Sequence, residues 1–145
     1  MISVAIKNAF EKAKSRNWDK TYWAIDIHET MIKPNWSVTT TPTEFYPKAK
    51  ETLQYISGRK DIVMILYTCS HPHEIEKYIE LFKNNGINFN HINENPEVEN
   101  EKYGYYDMKP YFNVLLEDKA GFDPYKDWDE VYNALLLQEV LNPEK

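Results

Sequence analysis

Apolar positions along this chain switch between two periods. Ile2, Ile6, Ala9 and Ala13 recur at helical spacing and predict an amphipathic helix over residues 3–16. Residues 21–26 are almost continuously apolar and end in Asp26, the signature of a central parallel strand buried on both faces. Pro47 opens the next helical stretch, with Ala49, Leu53 and Ile56 on one face and Gly58 as its stop. Residues 62–67 read as a second buried strand. Ser70 is placed to cap a third helix, with Pro72 in its first turn, Ile75, Ile79 and Phe82 as its stripe, and Asn85-Gly86 as its end. Residues 87–92 form a shorter strand and 111–116 a further buried one. Asp123-Pro124 begins a last helical region, to about residue 141, with Trp128, Val131 and Leu135 on one face.

Two segments fit neither period. Residues 31–46 carry Pro34, Pro42, Trp36 and a run of threonines, and residues 93–108 carry Pro96, Gly104 and a tyrosine cluster. Loops of this length often cover a site. The alternation of strand and helix predicts an α/β, Rossmann-like three-layer sandwich, with a mostly parallel central sheet and helices on both faces. One domain over residues 1–145 is expected, with its motif-bearing core at 21–123 and no large cap domain.

Composition narrows the classes. At 145 residues the chain can bury a substantial core. A net charge of -6 disfavours sequence-independent binding to nucleic acid. The single cysteine, Cys69, permits no intrachain disulfide and suits a reducing, cytoplasmic setting. The N-terminal residues are too soon charged for a signal peptide, and no run approaches the ~20 apolar residues that span a bilayer, so no membrane association is expected. Nothing in the pattern fixes an oligomeric state.

The strand ends carry the chemistry. In a parallel α/β sheet, ligands bind at the carboxyl ends of the strands. The three strong strands end at Asp26, Thr68 and Glu117-Asp118, so these residues are expected to converge, with Lys109 entering from the loop before the last strand. A carboxylate can attack phosphorus only when the substrate's charge is offset, which Mg²⁺ does through oxygen ligands. Asp26, the backbone carbonyl of His28 and Asp118 are the expected ligands, helped by Glu117 or Asp123. The Thr68 hydroxyl and neighbouring backbone N–H groups are suited to hold phosphoryl oxygens. Thr30, Cys69, Ser70 and Lys109 complete the expected substrate-binding set.

In order and content these segments resemble the motifs of the haloacid dehalogenase-like superfamily. Residues 24–30 are similar to its first motif, 66–68 to its second, Lys109-Pro110 to its third and 115–123 to its fourth. The resemblance implies a Mg²⁺-dependent phosphohydrolase acting through an aspartyl-phosphate, on a small phosphorylated substrate such as a sugar phosphate or nucleotide. It implies Asp26 as nucleophile, Thr68 as phosphate binder, Lys109 as charge stabiliser and Asp118 as metal ligand. The usual pattern places a second aspartate two residues after the nucleophile, where it protonates the leaving group and then activates water. Here that position is His28. An imidazole, with an ordinary pKa of about 6.5, suits the same proton transfers.

Plainer readings stand beside these. Lys109 taken alone is a solvated surface lysine. Asp123 before proline is more often a helix cap than a ligand. His71 and His73 fit the first turn of an exposed helix better than a metal site. Trp36 and the cluster Tyr103, Tyr105, Tyr106 are candidates to stack on a base or sugar. The competing function is a catalytically impaired phosphate- or metal-binding domain with a regulatory or partner-binding role. A receiver domain ranks below both, because there the acidic pair precedes the phospho-acceptor and here it follows.

Overall fold

A computed structural model describes residues 1–141; residues 142–145, the last four of the expected domain, lie outside the described residues. The chain runs α1 (Ile2–Ser15), β1 (Thr21–Ile25), α2 (Ala49–Ser57), β2 (Ile62–Leu66), α3 (Pro72–Asn84), β3 (His91–Ile92), β4 (Val114–Leu116), a short 3-10 turn (Asp118–Ala120) and α4 (Asp127–Leu141). The four strands form one all-parallel sheet in the order β3-β2-β1-β4. This is the α/β, Rossmann-like layered arrangement that the alternation predicts.

Topology decides which face each connection covers. The β1–α2–β2 and β2–α3–β3 crossovers step in the same direction, so their right-handedness puts α2 and α3 on one face. All four helices bury their apolar stripes in one cluster with Trp23, Ile25, Met64, Leu66, Val114 and Leu116. The return from β3 to β4 passes β1 and runs over the opposite face. There Tyr22, Val63 and Ile65 are covered by Trp18, Val98, Tyr111 and Phe112. The second outer layer is thus an irregular connection, held by aromatic edges: Tyr111 packs against Trp18 at 5.5 Å and Tyr106 at 5.4 Å, with Arg16 over the Trp18 ring at 5.0 Å.

Several boundaries differ from the sequence expectation. The strand expected over 87–92 is only His91–Ile92, because the Asn90 side chain accepts the Met64 N–H at 2.8 Å in place of a ladder carbonyl. The strand expected over 111–116 is only Val114–Leu116, because Asn113 Oδ1 accepts the Tyr22 N–H at 2.8 Å and frees Tyr111 and Phe112 to turn onto the second face. The cap of α3 is His71 rather than Ser70: Glu74 accepts the His71 N–H at 3.0 Å, while Ser70 donates its N–H to Thr68 Oγ1 at 3.1 Å. The helix after Pro47 begins at Ala49, behind Lys48 in a left-handed conformation.

Among the described residues, no helix is long and apolar enough to cross a membrane. Trp128, fully buried on Phe122, ties α4 to the turn after β1 by donating its indole N–H to the Thr30 carbonyl at 2.8 Å. We predict that Trp128→Phe, which keeps the apolar contact and orphans that carbonyl, costs about 1–3 kcal/mol, read as a lower midpoint in urea denaturation.

Candidate functional site

The β1 strand lies between β2 and β4, so its carboxyl end is flanked by both partners' ends. The chain leaves β1 toward β2 and later returns to β4 on its other side. The crevice between β1 and β4 is therefore a switch point of the sheet, where open α/β sheets bind ligands. Asp26 sits at this point, its N–H bonded to the Leu116 carbonyl at 3.0 Å. Asp26, Glu117 and Asp118 each bring an oxygen within 4.8 Å of the others. A cleft of about 570 Å³ opens over them, lined also by His28, Thr68, Cys69, Asn93 and Lys119.

A tight turn holds Asp26 in place. The Ile27 carbonyl accepts N–H groups from Thr30, Met31 and Ile32, and Glu29 takes a positive φ of 60°. This wraps Thr30 beneath Asp26, fully buried. The Thr30 hydroxyl donates to Asp26 Oδ2 at 3.3 Å and accepts the Asp118 N–H at 3.2 Å. Thr30, expected to bind substrate, is instead the brace between the two acidic strand ends. The bridge between His28 and Ile32 uses the Ile27 carbonyl and the Glu29 N–H, so no backbone donor among the described residues occupies the His28 carbonyl.

The acids crowd one another. Burial, and then the charges of Glu117 and Asp118, push Asp26 up to about 7, although the Ile27 N–H opposes this. Burial and the hydrogen bond with Asp118 also raise Glu117. Burial works against the Asp118 charge, but hydrogen bonds with Glu117, Glu29 and Asp26 hold its carboxyl below the ordinary range. Three converging carboxylates that resist joint ionisation are an all-oxygen donor set suited to a hard divalent cation.

On the β2 side, Thr68 lines the cleft, and its Oγ1 lies 2.8 Å from the Oγ of Ser70, which stands behind it and not on the cleft wall. Asn93 locks this loop: its side chain accepts the Thr68 N–H and donates to the Thr68 carbonyl, each at 2.8 Å. Nothing in the sequence pattern singled out Asn93; an asparagine directly after a strand was its only signal. His28 Nε2 lies 2.5 Å from the Tyr78 hydroxyl, which is buried beneath it and pushed up to about 12, chiefly by burial. Tyr78 thus stays a neutral phenol.

Two expected residues stand elsewhere. Lys109 is exposed on the connection before β4 and does not line the cleft; Lys119, one residue after Asp118, does. Tyr111 and Phe112 must cover the second sheet face, and the segment they anchor carries Lys109 away. Asp123 caps the α4 region, accepting the Tyr125 N–H at 2.9 Å, and is outside the carboxylate cluster. Of the expected stacking residues, Tyr106 packs on Tyr111, while Tyr103 and Tyr105 project into solvent.

No protein-family model and no curated protein matches this chain. Its fold is similar to that of a solved conserved protein from Bacteroides thetaiotaomicron, with a TM-score of 0.63 and 17% identity over 87% of this chain and 98% of that one. At that identity the likeness speaks to fold alone.

Because Asp26 is raised on folding, its contribution to stability is fully present below about pH 4 and is lost as pH rises through about 7. Asp26→Asn removes this conflict. We predict that in EDTA the variant melts about 3 °C above wild type at alkaline pH, and that the gain vanishes in acid; calorimetry across pH checks this.

Proposed function

We propose that this protein is a Mg²⁺-dependent phosphohydrolase of the haloacid dehalogenase-like type, with Asp26 as its nucleophile. The observation that carries the reading is the convergence of Asp26, Glu117 and Asp118 at the sheet's switch point, with the Thr68 hydroxyl on the same cleft. Asp26, Asp118 and Glu117 would hold the cation, which when bound supplies charge neutralisation for both carboxylate and phosphate. It also favours the ionised form of Asp26, which attack requires.

One Asp26 oxygen forms a bond to phosphorus as the bond from phosphorus to the substrate's alcohol oxygen breaks. The leaving oxygen takes a proton, and water then cleaves the aspartyl-phosphate, releasing phosphate and restoring Asp26. His28 stands two residues along, where the proton is exchanged. Tyr78 engages Nε2, which leaves Nδ1 as the nitrogen for that exchange. The Thr68 hydroxyl is suited to the phosphoryl oxygens, with Ser70 behind it and Cys69 beside it on the cleft wall. Lys119 is the lysine positioned to offset charge, in the role that motif order had suggested for Lys109.

A second reading, a phosphate- and cation-binding domain with little turnover, is favoured by one observation: the His28 ring is already engaged by Tyr78. Phosphate release from a panel of monoesters, with Mg²⁺ and with EDTA, separates the two. We expect Mg²⁺-dependent release that falls on the order of 10³-fold or more in Asp26→Asn. We also expect His28→Asp to lower turnover if the imidazole is the adapted acid and base. Wild-type turnover in Asp26→Asn would sink the nucleophile assignment, and gain of turnover in His28→Asp would favour the binding domain.

The two lysines give a further test. We predict that Lys119→Met lowers kcat/KM by about 10-fold or more while Lys109→Met leaves it within about 2-fold, measured on the best substrate of the panel.

A further inference from the structure

Two asparagines bracket the two-residue strand β3, and both reach across to the chain of β2. Before the strand, Asn90 accepts the Met64 N–H on its side chain and donates its own N–H to the Met64 carbonyl, each at 2.8 Å. After it, Asn93 gives its N–H to the Leu66 carbonyl at 2.8 Å and turns its side chain onto Thr68. Both amide atoms are used there: Oδ1 accepts the Thr68 N–H and Nδ2 donates to the Thr68 carbonyl. The carboxamide pairs with both backbone groups of one residue, as a further rung of the sheet would. The chain turns at Asn93 to deliver it, with a φ of 54°, in the left-handed region that asparagine tolerates. Asn93 stands on the rim of the Asp26 cleft; Asn90 lines no part of it.

Thr68 is held through its hydroxyl as well. Its Oγ1 accepts the Ser70 N–H at 3.1 Å and lies 2.8 Å from Ser70 Oγ. A hydroxyl has one proton to give and two lone pairs. The Ser70 N–H takes one lone pair. Donation from the Ser70 hydroxyl fills the other and leaves the Thr68 proton for a ligand in the cleft that Thr68 lines. These contacts add little to the stability of the fold, since Asn93 is exposed and water competes for its bonds. What they fix is position: Asn93 sets the backbone of Thr68 and Ser70 sets its hydroxyl. A donor already in place loses no freedom when its ligand arrives.

We propose that Asn93 and Ser70 are positioning residues for Thr68, holding its hydroxyl as a preformed donor to the anionic group bound over Asp26. Neither touches that group; both act through Thr68. This rests on the phosphohydrolase reading above for what Thr68 meets, a phosphoryl group. The Thr68 N–H, committed to Asn93, is not one of that group's donors.

The test reads affinity for inorganic phosphate, with Mg²⁺ present, by isothermal titration in double-mutant cycles. Glycine adopts a φ of 54° freely, so Asn93→Gly removes the amide and leaves the turn unstrained. Ser70→Ala removes only the hydroxyl. Thr68→Ala itself is expected to weaken binding about 10-fold, with the cation still in place. We expect Asn93→Gly and Ser70→Ala each to weaken it about 5-fold or more, but less than about 2-fold once Thr68→Ala is present. Ser70→Thr, which keeps a hydroxyl, is expected to stay within about 2-fold of wild type. So is Asn90→Ala, which removes a like contact with β2 away from the cleft. Each residue is judged on its own cycle. No loss in the single variant, or a loss that recurs undiminished beside Thr68→Ala, overturns its assignment. For Asn93, an equal loss in Asn90→Ala does the same; for Ser70, an equal loss in Ser70→Thr does. Absence of phosphate binding by wild type overturns both assignments. Phosphate release from monoesters by wild type is scored apart. Release without the coupling leaves the phosphohydrolase standing, and coupling without release keeps the positioning and overturns the phosphohydrolase.

Discussion

Thr30 is the constraint on which the site depends. Its hydroxyl serves two strand ends at once, giving a hydrogen bond to Asp26 and receiving one from the Asp118 backbone, while its carbonyl receives the Trp128 indole. A buried hydroxyl has one proton to give and lone pairs to accept with, and here both roles are filled. The turn after β1, the end of β4 and the start of α4 are joined through this one residue. A small β-branched side chain is well suited to the position, because the brace must be short and its χ1 stiff.

That brace holds together groups that repel. Asp26, Glu117 and Asp118 meet in a partly desolvated crevice, and the folded chain responds by keeping protons on the cluster near neutral pH. Such stored conflict is common where a protein must bind something of opposite charge. A cation held there would relieve it, and its binding would then release protons, so a favourable term for such a ligand would be an unfavourable term for the free protein. Packing elsewhere offsets the conflict: Trp23, Ile25, Leu116 and Trp128 beneath it are fully buried.

Much of this was legible in the sequence because burial leaves a periodicity. The unbroken apolar run to Asp26 announces a central parallel strand, and the rule that ligands meet strand ends then gathers Asp26, Thr68 and Glu117-Asp118. What was illegible depends on side chains acting as backbone. Asn90 and Asn113 end their strands by substituting an amide for a ladder partner, and no propensity encodes that. The position of Lys109, away from a cleft that Lys119 lines, is of another kind. Order along the chain cannot say which way a connection leans, and this one is pulled by aromatic residues toward the sheet's far face. The His28–Tyr78 contact spans fifty positions and leaves no local trace.

The irregular layer over that far face has an evolutionary side. A helix there would have to keep its length and register to stay packed. A connection pinned against Trp18 at Val98, Tyr111 and Phe112 has no helical register to keep between the pins. Closing a longer loop costs only about 0.6 kcal/mol for each doubling of its length. Residues 93 and 106–108 line a groove that meets the Asp26 cleft at Asn93. Added sequence between the pins would therefore lengthen a wall beside the Asp26 cleft without disturbing the sheet, so this scaffold can vary the rim of that cleft while the acidic cluster stays unchanged.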